Sequence, residues 1–272
     1  MNLQRPFRLP GIDGGGSPSG PTAGLLYIDW NQNSGVVDTG EPNNQYDAGE
    51  TDWDKMGAGG TAPAFVNNPS SGSPYEGTYC VIIDGFGRGI RRGSASDVST
   101  PEYALPDGDW TIRLPFQQNG SPAAARRRMF GLWNTSGNER SWWITKESDN
   151  TILFQTSSNG STTTTTCDSA DNSWSLTANT WHDLTLQRNG TQVTMVIDDV
   201  VQSVGTLSNG TYAVTGANSL RWGTDQDVPL NRAFKGWFDA TGIWEGAAYS
   251  EITGSQIVGD TLTMPAIAFI VI

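Results

Sequence analysis

Few residues in this chain have the type and spacing that catalysis or zinc binding requires. His182 is the only histidine among 272 residues, so Ser-His-Asp chemistry would have to use it. The chain contains no Gly-x-Ser-x-Gly motif to present a nucleophilic serine. One histidine and two distant cysteines, Cys80 and Cys167, do not make a zinc ligand set. We therefore expect no catalytic residue, a solvent-facing His182, and two cysteines that form either a disulfide or separate buried thiols.

Aromatic and basic residues offer candidate binding surfaces. Trp142 and Trp143 are adjacent, so a strand would place one ring on each face of its sheet, where a ring can stack on a sugar. They are candidate glycan-binding residues; core packing is the alternative, and the commoner role of a tryptophan. Arg126, Arg127 and Arg128 form a basic run in an acidic chain. They either dock on an acidic surface of a partner or second copy, or form a solvated strand end.

The composition predicts the elements that position these residues. With 33 Gly, 14 Pro and 16% charged residues, the chain favours short strands and turns, and no long segment has helical apolar periodicity. The net charge of −12 disfavours nucleic-acid binding. The apolar stretch 266–272 is about a third of the length that a membrane-spanning helix needs, and the first twenty residues lack the apolar core of a secretion signal. We predict an all-β protein without nucleic-acid or membrane partners.

The clearest local pattern is a hairpin over residues 181–199. Asn189 and Gly190 are predicted to form its turn, because Asn-Gly readily adopts positive φ angles. The outgoing strand alternates with period two, which predicts one buried face. That face contains Val193, Met195 and Ile197. The acidic pair Asp198 and Asp199 follows, and on a strand these two side chains would point to opposite faces.

This hairpin, with a Trp at its start and an acidic pair at its end, resembles the laminin-G-like family of the concanavalin A-like jelly-roll superfamily. The chain at 220–223 is similar to the family's "LxxG" strand, and 234–244 is similar to its closing "FxGxxDxxxIW" strand. The resemblance covers roughly residues 75–258. It implies an all-β concanavalin A-like jelly-roll β-sandwich, but one fold hosts many activities.

The resemblance also raises two questions about chemistry. Some members of the superfamily are retaining glycoside hydrolases, which need two carboxylates about 5 Å apart, arranged as Glu-x-Asp-x-x-Glu. No two of the eight glutamates here are closer than six residues, so we expect no enzyme activity, with a carboxylate pair from distant strands as the remote alternative. Related domains often hold Ca²⁺ at the rim of the sandwich, which makes Asp225 and Asp227 candidate calcium ligands; a solvated turn is the alternative.

Three regions are predicted along the chain. Residues 1–73 form an extended, loop-rich N-terminal arm with a strand at 24–30, residues 74–258 form the jelly roll, and residues 259–272 form an apolar C-terminal strand. Strands of the jelly roll are predicted at 79–83, 110–116, 129–133, 141–145, 151–155, 212–214 and 220–222, and within 234–244. The five-threonine run at 162–166 is either a strand edge or a polar loop. The C-terminal strand, with Phe269 and Ile270, needs a partner, because an exposed apolar strand aggregates.

These features favour a non-enzymatic structural or surface-display protein of a virus particle. Phage virion proteins with laminin-G-like domains, such as capsid decoration or tail-associated proteins, are similar. Such a protein would assemble in the host cytoplasm, lie at the virion surface, and contact copies of itself, for example as a trimer, and the major capsid protein. Surface glycans are a further expected partner. The alternatives are a free carbohydrate-binding module of an extracellular protein and, remotely, a glycoside hydrolase.

Overall fold

Strands make up nearly all the regular structure of the residues that are described. The computed structural model describes residues 24–28, 53–56, 64–66, 69, 72–75, 80–83, 89–92, 105–120, 125–134, 139–207, 220–223 and 233–245. Its strands are β1 (Gly24–Ile28), β2 (Trp53–Met56), β3 (Ala64–Val66), β4 (Cys80–Ile83), β5 (Gly89–Arg92), β6 (Trp110–Gln118), β7 (Arg127–Asn134), β8 (Glu139–Lys146), β9 (Ile152–Thr156), β10 (Thr164–Asp168), β11 (Trp181–Asn189), β12 (Gln192–Ile197), β13 (Val200–Thr206), β14 (Leu220–Trp222), β15 (Gly236–Phe238) and β16 (Thr241–Glu245). A short 3-10 helix spans Ser169–Asn172.

The described strands form two antiparallel sheets. The first sheet has the order β13-β12-β11-β6-β15-β4-β3. β16 also pairs with β6, along the part of β6 that precedes its pairing with β15, and β1 pairs with β16. The second sheet has the order β10-β9-β8-β7-β14-β5-β2. This arrangement confirms the predicted all-β, concanavalin A-like jelly-roll sandwich. No helix in the described ranges is long and apolar enough to cross a membrane.

The core lies between the two sheets and follows the period of two. In β6, Ile112, Leu114 and Phe116 are fully buried, and they belong to one apolar cluster with Trp142 of β8 and Trp222 of β14. In β12 the predicted apolar face is confirmed, because Val193, Met195 and Ile197 are all at 0% exposure. Burying each of these side chains contributes about 1.5–3 kcal/mol before entropy is counted. The core therefore fixes which side chains point outward from each sheet.

Three strands extend the sandwich into the segment that the sequence assigns to the N-terminal arm. β1 pairs with β16, β2 pairs with β5, and β3 pairs with β4. β2 and β3 lie within 31–73 and add backbone pairing to the two sheets, whereas the division of the chain into arm, jelly roll and tail stays a prediction. The predicted strand at 212–214 and the apolar tail 259–272, including Phe269 and Ile270, lie outside the described residues.

Both turns of the β11–β12–β13 meander differ from their predictions, the first of them by a shift of one residue. β11 extends through Asn189, which pairs with Gln192, so Gly190 and Thr191 form the turn. Gly190 has φ of +60° and Thr191 is not among the residues with positive φ, which is typical of a type II′ hairpin. The hairpin is confirmed, and its turn lies one residue later than predicted.

Asp198 and Asp199 form the second turn, which corrects their placement on a strand. Their φ angles are +54° and +64°, as a type I′ turn requires at both central positions. Left-handed backbone is unfavourable for residues with a Cβ. The pair is therefore a tight connection between β12 and β13 and does not divide its side chains between two sheet faces.

Replacing Asp199 by glycine is expected to stabilise the protein by about 0.5–1 kcal/mol, because glycine adopts this backbone without the Cβ penalty. Thermal unfolding should show a melting temperature about 1–4 °C higher. The matched variant Asp198→Gly relieves the same strain but removes a carboxylate that accepts hydrogen bonds from β11. It should not be stabilising, and equal gains from the two variants would contradict this explanation.

Both cysteines are buried thiols, in β4 of one sheet and β10 of the other, and no disulfide joins them. Of the two alternatives left by the sequence, the structure selects separate thiols. Burial raises the pKa of Cys167 to about 12 and also raises the pKa of Cys80. These side chains therefore act as small apolar residues.

Candidate functional site

An ion pair lies on the outer face of the first sheet, where β6 and β11 run side by side. The core residues of β6 alternate with outward residues, and Arg113 is one of these. The register places Asp183 opposite Pro115, so its carboxylate reaches Arg113 diagonally. Arg113 Nε lies 3.1 and 3.0 Å from the two oxygens of Asp183, and Arg113 Nη2 lies 2.8 Å from Oδ2. The guanidinium is 1% exposed and the carboxylate 13% exposed.

Two part-exposed aromatic residues flank this ion pair. The Tyr75 hydroxyl donates to Asp183 Oδ2 at 3.3 Å, and the Tyr75 ring centroid lies 5.7 Å from Arg113 Cζ. The Trp181 indole N–H donates to the Ser73 carbonyl at 2.9 Å. The Tyr75 and Trp181 rings lie 5.9 Å apart at an angle of 57°. We call Tyr75, Arg113, Trp181 and Asp183 the Tyr75–Trp181 site; it combines ring faces with fixed polar groups.

Asp198 holds the first residues of β11 in place beside this site. Its Oδ1 accepts from the Asp183 N–H at 3.0 Å, and its own N–H donates to the Asp183 carbonyl at 3.1 Å. Its Oδ2 lies 2.7 Å from His182 Nδ1. The turn therefore fixes the backbone from which the Trp181 and Asp183 side chains project.

His182 is buried, so the prediction of a solvent-facing histidine is wrong. Its side chain points to the core side of β11, between the outward residues Trp181 and Asp183, and the residue is 4% exposed. The ring packs 5.6 Å from Phe116 and 5.1 Å from Trp174. Its Nε2 lies 3.4 Å from the Thr177 nitrogen and 3.3 Å from the Thr177 carbonyl oxygen. Both contacts of Nε2 are thus with the Thr177 backbone and not with a hydroxyl nucleophile.

Trp142 and Trp143 lie on opposite faces of β8, and both pack against protein. Trp142 is fully buried between the sheets, 5.3 Å from Phe130. Trp143, on the outer face, is 4% exposed; it stacks 4.2 Å from Trp133, and Arg128 Cζ lies 3.3 Å from its ring centroid. The candidate glycan platform is corrected to packing, because neither ring offers a face to a ligand in this arrangement.

The basic run is also divided between two environments. Arg126 is 41% exposed and pairs with Glu147, with Nε 2.6 Å from Oε1. Arg127 is part-exposed, whereas Arg128 is buried against Trp143. The run therefore does not present three cations to one partner. An assembly role for its exposed members stays a prediction.

The part of the chain that the structure describes contains no set of metal ligands. No group of three or more His, Cys, Asp or Glu is placed there to hold an ion. The candidate calcium ligands Asp225 and Asp227 lie outside the described residues. Calcium binding by these two residues stays a prediction.

Acidic side chains gather where β10 meets the short 3-10 helix. Burial and then the charges of Asp171, Asp149 and Glu147 raise the pKa of Asp168, and a hydrogen bond from the Ala170 N–H offsets part of this effect. When folding raises the pKa of a carboxyl, ionisation of that carboxyl lowers the stability of the folded state. The ionised Asp168 therefore costs stability at neutral pH.

Asp168→Asn is expected to stabilise the protein at pH 7 by less than about 1 kcal/mol, since the part-exposed carboxyl is screened by solvent. The amide oxygen can still accept from Ala170. The gain should shrink as the pH falls toward the ordinary aspartate pKa, where the native carboxyl is protonated. Urea unfolding of both proteins at pH 7 and pH 3 measures the stability gain at each pH. A larger gain at pH 3 than at pH 7 would contradict the raised pKa of Asp168.

The two-sheet fold with an aromatic and charged site on one outer face defines a lectin-like jelly-roll domain. A family model described as the concanavalin A-like lectin/glucanases superfamily matches residues 92–251. The chain belongs to this superfamily. No curated protein matches it.

Several solved structures are similar to this chain at low sequence identity. Domain 4 of AbnA, a GH43 extracellular arabinanase from Geobacillus stearothermophilus in complex with arabinotriose, is 19% identical with a TM-score of 0.48, covering 72% of this chain and 81% of its own. The receptor binding domain of botulinum neurotoxin mosaic serotype C/D is 11% identical with a TM-score of 0.53, covering 84% and 48%. The binding domain of Paraclostridial Mosquitocidal Protein 1 is 10% identical with a TM-score of 0.53, covering 75% and 47%. The chain thus spans about half the length of the two toxin domains.

The sequence did not single out Tyr75, Arg113, Trp181 or Asp183 as site residues. A usable signal was present in β11, where Trp181 and Asp183 alternate with core residues and so share the outer face. Arg113 lies at an outward position of β6 by the same rule. Tyr75 gave no such signal, because it lies 108 residues before Asp183 and outside the described strands.

Proposed function

We propose that this chain is a non-enzymatic carbohydrate-binding display module whose recognition surface is the Tyr75–Trp181 site. The observation that supports it most directly is the pair of part-exposed aromatic rings beside the Arg113–Asp183 ion pair. Aromatic faces bind the apolar faces of sugar rings, while fixed polar groups orient the hydroxyls. The similar toxin structures are described as binding domains, and a binding role is proposed here on this chain's own residues.

The contacts of the candidate catalytic groups support a role in binding without catalysis. The Asp183 carboxylate accepts hydrogen bonds from Arg113 Nε and Nη2 and from the Tyr75 hydroxyl, so its oxygens are engaged in holding the site together. His182 is buried, and its two ring nitrogens engage Asp198 and the backbone of Thr177. A nucleophilic or acid–base role would require these groups to break contacts that hold β11 in place.

A glycan array screened with the full chain, followed by calorimetry on the glycans retained, tests this function. We expect binding to at least one glycan class and no new reducing ends after prolonged incubation. Failure to retain any glycan would remove the carbohydrate-binding function. Release of reducing sugar that tracks the purified protein would instead support the remote hydrolase alternative.

We also propose that the module is displayed on a virus particle, with copies of itself and capsid or tail proteins as partners. Support comes from an apolar stretch at 261–272, whose composition favours pairing with another strand, and from the part-exposed Arg126 and Arg127 in an acidic chain. The virion surface, after assembly in the host cytoplasm, is the proposed location; an extracellular module is the alternative.

Light scattering after size exclusion tests the assembly role, on the full chain and on a variant that lacks residues 259–272. This deletion leaves every described strand in place, whereas a start at Pro74 would remove β1, β2 and β3. An oligomer that dissociates to a folded monomer on deletion is expected. Identical monomers in both samples would contradict the tail's role in assembly.

A further inference from the structure

We infer that the Tyr75–Trp181 site selects uncharged sugars over acidic ones. This inference rests on the proposed carbohydrate-binding function and assigns that function a ligand class. It starts from the charges around the site. Asp183 offsets the charge of Arg113, and the exposed carboxylates of Asp198 and Asp199 lie in the adjoining turn.

The local charge disfavours sialic acids, uronates and sulfated sugars. The Arg113 guanidinium already holds the Asp183 carboxylate through both Nε and Nη2, and two further carboxylates, those of Asp198 and Asp199, are exposed in the adjoining turn. The whole chain also has a net charge of −12. An acidic sugar would therefore meet repulsion at the site and over its approach, whereas a neutral sugar would not.

The hydrogen-bonding groups of the site suit neutral hydroxyls. Each carboxylate oxygen accepts more than one hydrogen bond, so Asp183 can accept from a sugar hydroxyl while it holds Arg113. The Tyr75 hydroxyl also donates to this carboxylate, at Oδ2. Adjacent hydroxyls of a neutral sugar are donors that match these acceptors.

The site is also rigid before any ligand arrives. The Trp181 ring is fixed by its bond to Ser73, and the Asp183 backbone is fixed by Asp198. Tyr75 is held against both Asp183 and Arg113. A preformed site loses little side-chain entropy on binding, which favours recognition of a small sugar ring.

The test is calorimetry of the full chain with two matched panels, one of neutral oligosaccharides and one of their uronate or sialylated counterparts. Tyr75→Ala should weaken neutral binding by about tenfold or more, through loss of ring stacking. Tyr75→Phe keeps the ring and removes one hydroxyl, so a loss of about 2- to 10-fold is expected. Val204→Ala, at an exposed position on β13, is the control and should bind as wild type. Affinity for neutral sugars should be unchanged between low and high salt.

The outcomes separate the inference from the proposed function. Tighter binding of the acidic panel would overturn the ligand class and leave carbohydrate binding intact. Neutral binding that Tyr75→Ala does not weaken, with the variant's melting curve unchanged, would overturn the site. Binding of neither panel would overturn the proposed function itself.

Discussion

Replacing Gly131 by alanine is expected to destabilise the protein by about 3 kcal/mol or more, from backbone strain and overpacking together. Gly131 lies in β7 with φ of +148°, a conformation that residues with a Cβ rarely adopt. A Cβ at this position would lie 2.5 Å from the Trp142 carbonyl oxygen and 2.6 Å from the Trp143 Cα. Both contacts are with backbone, so a side-chain rotation cannot relieve them.

The local packing explains why position 131 requires glycine. Gly131 of β7 pairs directly with Trp143 of β8. The Trp143 ring packs against Arg128 and Trp133, which lie near the two ends of β7. A methyl group at 131 would push β8 away and disturb the whole stack. Because β8 also contributes Trp142 to the core, the strain would reach both faces of the second sheet.

Thermal and urea unfolding measure this effect. Gly131→Ala should lower the melting temperature by about 6–12 °C, or prevent folding. Gly108→Ala is the matched control, because no atom lies within 4 Å of its Cβ position and its backbone is ordinary. It should change stability by less than about 0.5 kcal/mol. Similar effects from the two substitutions would show that the close approach at Gly131 is not the cause.

Local periodicity predicted much of the fold, because period-two burial is visible within a few residues. The predicted strands at 110–116, 129–133, 141–145 and 151–155 each overlap an observed strand, and the observed strand is longer or shifted by one residue. The last three threonines of the run, at 164–166, join the edge of the second sheet as the start of β10. Core packing decides these elements, and the alternation of apolar residues reports core packing directly.

Turns were predicted less precisely, because a turn depends on register as well as on residue type. Asn189 and Gly190 signal a hairpin, but the pairing of Asn189 with Gln192 moves the turn forward by one residue. Asp198 and Asp199 give a weak turn signal, since aspartate adopts positive φ less readily than glycine. Their turn is stabilised by contacts with β11 that no local pattern contains.

The candidate site depends on contacts between distant parts of the chain. Arg113 and Asp183 are 70 residues apart, and they meet only because β6 and β11 pair in one particular register. A shift of one residue in this register would move one of the two side chains to the core face. The burial of His182 also depends on distant parts of the chain. His182 lies on the face of β11 that packs against the core, and the sequence of β11 alone does not specify which face this is.

Asp183→Ala is expected to destabilise the protein by about 2–4 kcal/mol, because it leaves the buried Arg113 guanidinium without its carboxylate. Arg113 is 1% exposed, so water cannot fully replace the lost acceptor, whereas the 13% exposure of Asp183 keeps the effect below that of a fully buried pair. The substitution also removes the acceptor for the Tyr75 hydroxyl. We therefore expect it to loosen residues 72–75 and to weaken sugar binding as well.

A double-mutant cycle with Arg113→Met separates the ion pair from the other losses. The double variant should be less destabilised than the sum of the single variants, because methionine removes the charge that Asp183 compensates. The exposed pair Arg126 and Glu147 is the matched control: Arg126 is 41% exposed, and its cycle should give a coupling of about 0–1 kcal/mol. Equal coupling energies in the two cycles would mean that burial does not strengthen the Arg113–Asp183 pair. A larger coupling for Arg113–Asp183 is expected, since burial both strengthens this pair and makes each partner costly to leave alone.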